Sequence, residues 1–380
     1  MTQKDTEAPA FTSIEICAGA GGQAIGLHHA GFRHLALVEI DKYAAATLRN
    51  NIELHPLWDW ERDNCDVLCQ DVLDFEPDRD LPKSGKLYRK GDVDLLAGGV
   101  PCPPFSHAGK QLGEDDERDL FPRILTLAET IRPRAVMIEN VRGLMDAKFD
   151  GYRERIQAQL EGMEPDGDGL PGYEVVGWNV YEAEKFGVPQ LRPRSILVAF
   201  RKDVLEDLKY EAPGPSAERV TVYEALKDTM KARIKPFKNG ARAAEAQRVY
   251  DTWKAAADRD VAPTLVGGSK KHGGADLGPS RAKKAWKNLG VSGLGVANEP
   301  EGGEPTGTED RDLFREGGPM LTVRQAAIIQ GFPLEWDFIG GKTAQYRQVG
   351  NAFPPPVAQA IGESIMEVLK ADRERRAAKG

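Results

Sequence analysis

The sequence predicts an α/β protein: a doubly wound, mostly parallel sheet with a smaller inserted domain. Three observations point there. Short apolar strands alternate with helical stretches through about the first 200 residues. A glycine-rich turn, Ala18-Gly-Ala-Gly-Gly22, joins the first strand to the first helix. Residues 203–318 then turn polar, basic and loop-rich before apolar spacing returns at Met320–Gln330. The expected division is therefore 1–202, 203–318 and 319–380.

The elements follow in chain order. Ser13-Ile-Glu-Ile-Cys17 reads as a strand, and the helix after the glycine turn runs to about Ala30, where Gly31 stops it. His34–Glu39 is a second strand. Asp41 caps an Ala-rich helix expected to end at Asn50-Asn51. Strands follow near Asp66–Cys69 and over Val93–Val100. Leu120–Ile131 has helical spacing, with Pro122 tolerated in the first turn. Ala135–Glu139 is a buried strand, Tyr152–Leu160 a helix, and Ser195–Phe200 a last strand. A closing helix is expected from about Val357 to Lys370, with Ala371–Gly380 a frayed, charged end.

A chain of 380 residues buries a sizeable core without disulfides or metal. No apolar run approaches the length of a membrane span and no signal peptide is visible, so a soluble intracellular protein is expected. Cys17, Cys65, Cys69 and Cys102 do not have metal-ligand spacing, and no metal is expected. The net charge of −8 argues against diffuse nucleic-acid binding. Yet residues 231–290 hold 14 Lys/Arg against 5 Asp/Glu, a candidate backbone-binding face.

Candidate site residues gather at expected strand ends, the edge where such sheets bind ligands. Gly19, Gly21 and Gly22 let a ligand approach backbone at a helix N-terminus. Glu39, at the end of the second strand, suits paired ribose hydroxyls. Asp71, after the third, suits an exocyclic amine. Val100-Pro101-Cys102 presents one thiol at the end of the fourth strand; alone, that thiol equally suits core packing. Glu139 ends the next strand, where a carboxylate is costly unless paired or protonated. In Gln190-Leu-Arg192-Pro-Arg194, period-two spacing is expected to put both arginines on one face.

These segments, in this order, resemble the cytosine-C5 DNA methyltransferases that use S-adenosylmethionine. The resemblance rests on Glu15-Ile-Cys-Ala-Gly-Ala-Gly-Gly22, Glu39-Ile-Asp41, Gln70-Asp71-Val72 and Gly98-Gly-Val-Pro-Cys-Pro-Pro-Phe-Ser106. It continues through Glu139-Asn-Val141, Gln190-Leu-Arg-Pro-Arg194, Leu321-Thr322, Gln330-Gly-Phe-Pro333 and Tyr346-Arg-Gln-Val-Gly-Asn351. It covers nearly all of the chain except 203–318, and implies a class I methyltransferase-like, Rossmann-like fold.

The resemblance implies roles for individual residues. Cys102 would be the nucleophile that attacks C6 of a flipped cytosine, and Glu139 would hold N3 and N4 of that base. Arg192 and Arg194 would contact the base oxygen and nearby phosphates. Cys17, Ala18, Gly19, Ala20, Gly21, Gly22, Glu39, Ile40, Asp71, Val72, Gly99, Pro101, Leu120, Asn351 and Ala352 would line the cofactor site. Ser106, Lys110 and Arg118 would belong to a loop that closes over DNA. Residues 203–318 would form the target-recognition domain, with Lys270, Lys271, Arg281, Lys283 and Lys284 meeting phosphates. The implied partner is double-stranded DNA. The implied setting is the cytoplasm of a bacterium or a phage host, with the enzyme a monomer and a cognate restriction endonuclease acting separately.

Two positions depart from the family pattern. Pro103 stands where Gln usually follows the nucleophile, and Cys17 where Phe usually precedes Ala-Gly. Three other functions remain open to the sequence. Methylation of RNA cytosine fits the same scaffold. A nicotinamide-dependent oxidoreductase fits the glycine turn and Glu39 but leaves Pro101-Cys102 unexplained. A silent DNA-binding regulator fits the basic segment alone.

Overall fold

The structure is a computed structural model that describes residues 11–100, 119–267, 275–300 and 302–379. Seven strands form one sheet: β1 (Thr12–Ile16), β2 (Arg33–Glu39), β3 (Asp66–Cys69), β4 (Leu95–Gly99), β5 (Ala135–Val141), β6 (Tyr173–Glu182) and β7 (Pro193–Arg201). Their order is β3-β2-β1-β4-β5-β7-β6. Pairing is parallel from β3 through β5, and β7 runs antiparallel to β5. The order reverses between β1 and β4, the kind of switch point at which open α/β sheets bind ligands.

The sheet centre is apolar on both faces, as parallel strands require. Ile14, Ile16, Leu96, Val136, Ile138 and Leu197 are buried on one face, and Leu37, Leu95, Ala97, Met137 and Val198 on the other. Gly98 is a packing necessity: a Cβ there would lie 2.7 Å from Ile16 Cγ1. Ile124, Leu127, Ala128 and Ile131 supply the buried stripe of the helix Phe121–Ile131. That helix is capped from outside its first turn, because Asp119 Oδ1 accepts from Phe121 N at 3.0 Å.

Several expectations are corrected. The helix after Asp41 runs over Lys42–Leu54, past Asn50-Asn51. Asn51 is buried and bonds back to the Thr47 carbonyl, so it continues the helix that it was expected to stop. Strand β6 was not foreseen, because its half-exposed, mixed-polarity sequence lacks a clean period. The charged tail does not fray: the closing helix runs over Pro355–Lys379. Asp372, fully buried, accepts from Arg134 at 2.7 Å and from Arg376 at 2.9 Å, which holds the last turns in place.

The chain divides into two compact units at places other than the expected 202/203 and 318/319. The first takes the described residues of 1–181, 193–214 and 358–380 and contains the sheet; the second takes 182–192 and 215–357. The second unit is helical. Thr221 with Glu224, and Thr322 with Gln325, form capping boxes for the helices Val222–Ile234 and Val323–Gln330. Its core holds Trp253, Trp286, Leu226 and Met230. Buried Arg233 links the Met320 carbonyl, the Asp312 carbonyl and Gln325 Oε1.

In the first unit, buried His28, His34 and Glu61 place their ligand-type atoms within 4.8 Å of one another. Hydrogen bonds already engage His34 at both ring nitrogens. Nε2 donates to the Ala24 carbonyl at 3.0 Å, so Nδ1 accepts from Ser13 Oγ at 2.8 Å. His28 pairs with Glu61 at 3.1 Å and stacks on Trp58. Burial lowers the His34 pKa to about 4 from an ordinary 6.5. The unfolded chain therefore binds the proton more readily, and stability is lost as pH falls from 6.5 toward 4. His34→Gln should flatten the melting-temperature profile across that window; an unchanged slope would refute this assignment.

Candidate active site at the carboxyl ends of the strands

The glycine turn is built by backbone strain and one carboxylate. Cys17, Gly19 and Gly21 all have positive φ, at 52°, 57° and 95°. Ala18 N donates to the Val38 carbonyl at 3.0 Å and Gly21 N to the Ala18 carbonyl at 3.1 Å. Glu39, at the end of β2, braces the turn: Oε2 accepts from Gly19 N and Oε1 from Asp41 N, both at 2.7 Å. Burial raises the Glu39 pKa, and these backbone donors pull it back. A carboxylate offers about four acceptor sites, so the Gly19, Asp41 and Ile40 backbone donors leave capacity for a ligand hydroxyl.

The neighbouring positions complete a cradle. A Cβ on Gly19 would meet nothing within 4 Å, so the turn faces open space. Ile40, next to Glu39, is 65% exposed despite its apolar side chain. Asp71 Oδ1 accepts from Leu73 N at 3.0 Å and so shapes the turn after β3, while Val72 packs inward. Arg123 ties that turn to the helix behind it through the Val72 carbonyl at 2.9 Å, the Phe75 carbonyl and Glu76. No sequence pattern marked Arg123 for this task. Leu120 stands half-buried at the N-cap position of the same helix. Glu15 and Gln23 lie buried nearby. Burial, with Glu39, Asp71 and Glu15 nearby, pushes the Cys17 thiol far up and so disfavours its thiolate. A carboxylate for a diol, an exposed aliphatic face and a glycine turn together fit an adenosine-type group such as S-adenosylmethionine.

A second cluster lies at the ends of β4, β5 and β7. Gly99 pairs in register with Glu139, and a Cβ at Gly99 would sit 3.0 Å from Glu139 Oε2. The missing side chain leaves the carboxylate its place. Across β5, Arg194 Nε lies 2.8 Å from Glu139 Oε1, with each side chain 13% exposed. Asn140 donates to the Val100 carbonyl at 3.3 Å and fastens the end of β4 to β5. Pro101, Cys102, Ser106, Lys110 and Arg118 follow in sequence and lie outside the described residues, as do Lys270 and Lys271.

Arg192 does not share Arg194's face. Strand β7 begins at Pro193, so the period-two reasoning fails one residue too early. Arg192 belongs to the second unit and is 1% exposed, its guanidinium on the Leu265, Gly350 and Ala352 carbonyls. The expected contact with base or phosphate is corrected to a buried structural tie. Asn351 is exposed and Ala352 buried, both in that unit. Arg281 and Lys284 are exposed on the helix Ser280–Asn288. Lys283, expected at a phosphate, is instead paired with Asp276 at 2.7 Å.

Comparison with known proteins bears on the whole chain. Residues 11–367 match the model of the C-5 cytosine-specific DNA methylase family. The type II methyltransferase M.NaeI of Lentzea aerocolonigenes is 47% identical over 364 residues, covering 96% of this chain and 76% of that protein. M.NgoMIV of Neisseria gonorrhoeae is 43% identical, covering 95% of this chain and 99% of that one. The fold is shared with the Dnmt2 methyltransferase of S. pombe, at TM-score 0.54 and 16% identity over 94% of this chain and 98% of that one. It is also shared with the methyltransferase EhMeth of Entamoeba histolytica, at TM-score 0.56 and 14% identity over the same shares. A family match that runs through both carboxylate clusters, and relatives of this identity over nearly the full chain, lead to one conclusion: the chain belongs to the C-5 cytosine-specific DNA methylases.

Proposed function

We propose that this cytosine-C5 DNA methyltransferase acts on a cytosine flipped out of duplex DNA, with Cys102 as covalent nucleophile and Glu139 and Arg194 as the groups that hold the base. The observation that carries this reading is the Glu139–Arg194 pair beside Gly99, at the strand edge from which the chain leads through Val100 to Cys102. A base inside a duplex is inaccessible to such a site, so it must be extruded.

The chemistry dictates the residue types. C5 of cytosine is a weak nucleophile. Addition of the Cys102 thiolate to C6, with Glu139 holding a proton at N3, converts the ring to an enamine whose C5 attacks an electrophile. Arg194 meets the base oxygen and keeps the carboxylate oriented. S-adenosylmethionine, when held by Ala18, Gly19, Ala20, Gly21, Gly22, Glu39, Ile40, Asp71 and Val72, supplies an electrophilic methyl group. Loss of the C5 proton then expels the Cys102 sulfur and restores the aromatic ring.

The relatives at 47% and 43% identity are named type II methyltransferases, and this supports a place in a restriction-modification system with a separate endonuclease. The basic segment supports target recognition by residues 203–318, with exposed Arg281 and Lys284 meeting phosphates. Lys283 joins them only by leaving Asp276. No described helix is long and apolar enough to cross a membrane, and a monomer acting in the bacterial cytoplasm is the reading we adopt.

Radiolabelled methyl transfer to duplex DNA and to tRNA tests the substrate. Incorporation into duplex DNA is expected, and incorporation into tRNA alone would overturn the reading. Glu139→Gln should lower kcat by about 10²-fold or more. Gly99→Ala, which crowds the same carboxylate, should lower kcat by about tenfold with little change in cofactor affinity. Wild-type rates in both variants would remove Glu139 from the site. Glu39→Ala should weaken S-adenosylmethionine binding in calorimetry by roughly tenfold or more; unchanged affinity would move the cofactor elsewhere.

A further inference from the structure

Arg123 stands in the first turn of the helix Phe121–Ile131, and the groups that it holds come from much earlier in the chain. Its Nε donates to the Val72 carbonyl at 2.9 Å. Its Nη2 donates to the Phe75 carbonyl, and to Glu76 Oε1 at 3.0 Å. The Arg123 side chain is 13% exposed and that of Glu76 49%. An ion pair to a half-exposed carboxylate contributes little, so the bonds that matter are those to the two carbonyls. A planar guanidinium is suited to hold both at once, which a single ammonium cannot reproduce in the same geometry.

The segment that carries those carbonyls needs such a hold. It leaves the end of β3, the four-residue edge strand of the sheet. Gln70 N still reaches the Glu39 carbonyl at 3.1 Å, and then the chain turns. Asp71 Oδ1 accepts from Leu73 N at 3.0 Å and the Asp71 carbonyl from Asp74 N at 3.1 Å. These bonds are local: they set the shape of the turn and not its place in the fold. Val72 and Phe75 share an apolar cluster with Phe121 and Ile124, but apolar packing is non-directional. Arg123 supplies the directional link, from the helical turn that starts at Leu120. Asp71, Val72, Leu120 and Arg123 all belong to the first unit.

We propose that Arg123 is a positioning residue for recognition of the adenine ring: it places the Asp71 carboxylate for the exocyclic amine and does not touch the cofactor itself. The proposal rests on the reading that Asp71, Val72 and Leu120 line the site for S-adenosylmethionine. A residue that only stabilises the fold weakens every ligand alike. A residue that places Asp71 acts on ring identity, because a carboxylate accepts from an amine and repels a carbonyl oxygen in the same position.

The test uses the full-length protein and two stable ligands, S-adenosylhomocysteine and S-inosylhomocysteine. The second carries an oxygen where adenine carries its amine. Calorimetry gives Kd for each. The wild-type protein should prefer the adenosine ligand by about tenfold or more. Arg123→Met should raise the Kd of that ligand by about tenfold and leave the inosine ligand within about twofold, so the preference collapses. With S-adenosylmethionine, KM should rise while kcat at saturation stays within about threefold. Equal weakening of both ligands, or an unchanged preference, would overturn the proposal. Should Arg123→Met not fold by melting, Arg123→Lys carries the test, because it keeps the charge beside Glu76 and loses the fork that spans two carbonyls. It too should shrink the preference, and wild-type discrimination would overturn the proposal. Asp71→Ala should abolish the preference. A preference that survives Asp71→Ala would refute the cofactor reading itself. One that is lost there but kept in the Arg123 variants would dismiss the role of Arg123 alone.

Discussion

A carboxylate at the end of a buried strand needs a cation, and the Glu139–Arg194 pair is the constraint around which the proposed catalytic edge is arranged. The topology supplies that cation. Strand β7 runs antiparallel to β5, so its amino end meets the carboxyl end of β5, with Val141 opposite Arg194. A parallel strand would have delivered Pro193–Arg194 to the other edge of the sheet. On the opposite flank of β5, Gly99 gives up its side chain so that Glu139 has room. Position, charge balance and space for one carboxylate therefore come from three strands at once.

The edge we propose for the cofactor is built in a similar way around Glu39. Its two oxygens brace Gly19 and Asp41 before any ligand arrives, so the glycine turn is organised in advance. That brace allows a non-glycine residue, Cys17, to sit at positive φ beside it. Burial and three nearby carboxyl groups push the Cys17 thiol up, which disfavours its thiolate beside the glycine turn. Arg192 and Arg194 are two residues apart and do unrelated work. One faces a carboxylate at the sheet edge; the other is sealed among carbonyls of the second unit.

Much of the first unit was legible because its strands are short apolar runs with strong punctuation. Asp41 caps where its side chain implied, and β3 matches the expected Asp66–Cys69. What failed did so for identifiable reasons. Asn51 reads as a stop signal until its amide is seen bonding within the helix. The tail reads as solvated charge until Asp372 is seen buried against Arg134 and Arg376. Period-two spacing separates faces only inside a strand, and Arg192 precedes β7. The ties made by Arg123 and Gln190 join segments far apart in sequence, where local pattern carries no signal.

In the proposed mechanism catalysis passes through a covalent bond between Cys102 and C6 of the target base. Fluorine at C5 blocks the final elimination, because the ring cannot lose fluorine as a proton is lost. A duplex carrying 5-fluorocytosine at the methylated position, incubated with S-adenosylmethionine, should therefore trap the wild-type protein in a complex that survives denaturing electrophoresis. Cys102→Ser should form none. A wild-type protein that methylates ordinary DNA but is never trapped, or a Cys102→Ser variant that still is, would contradict the account.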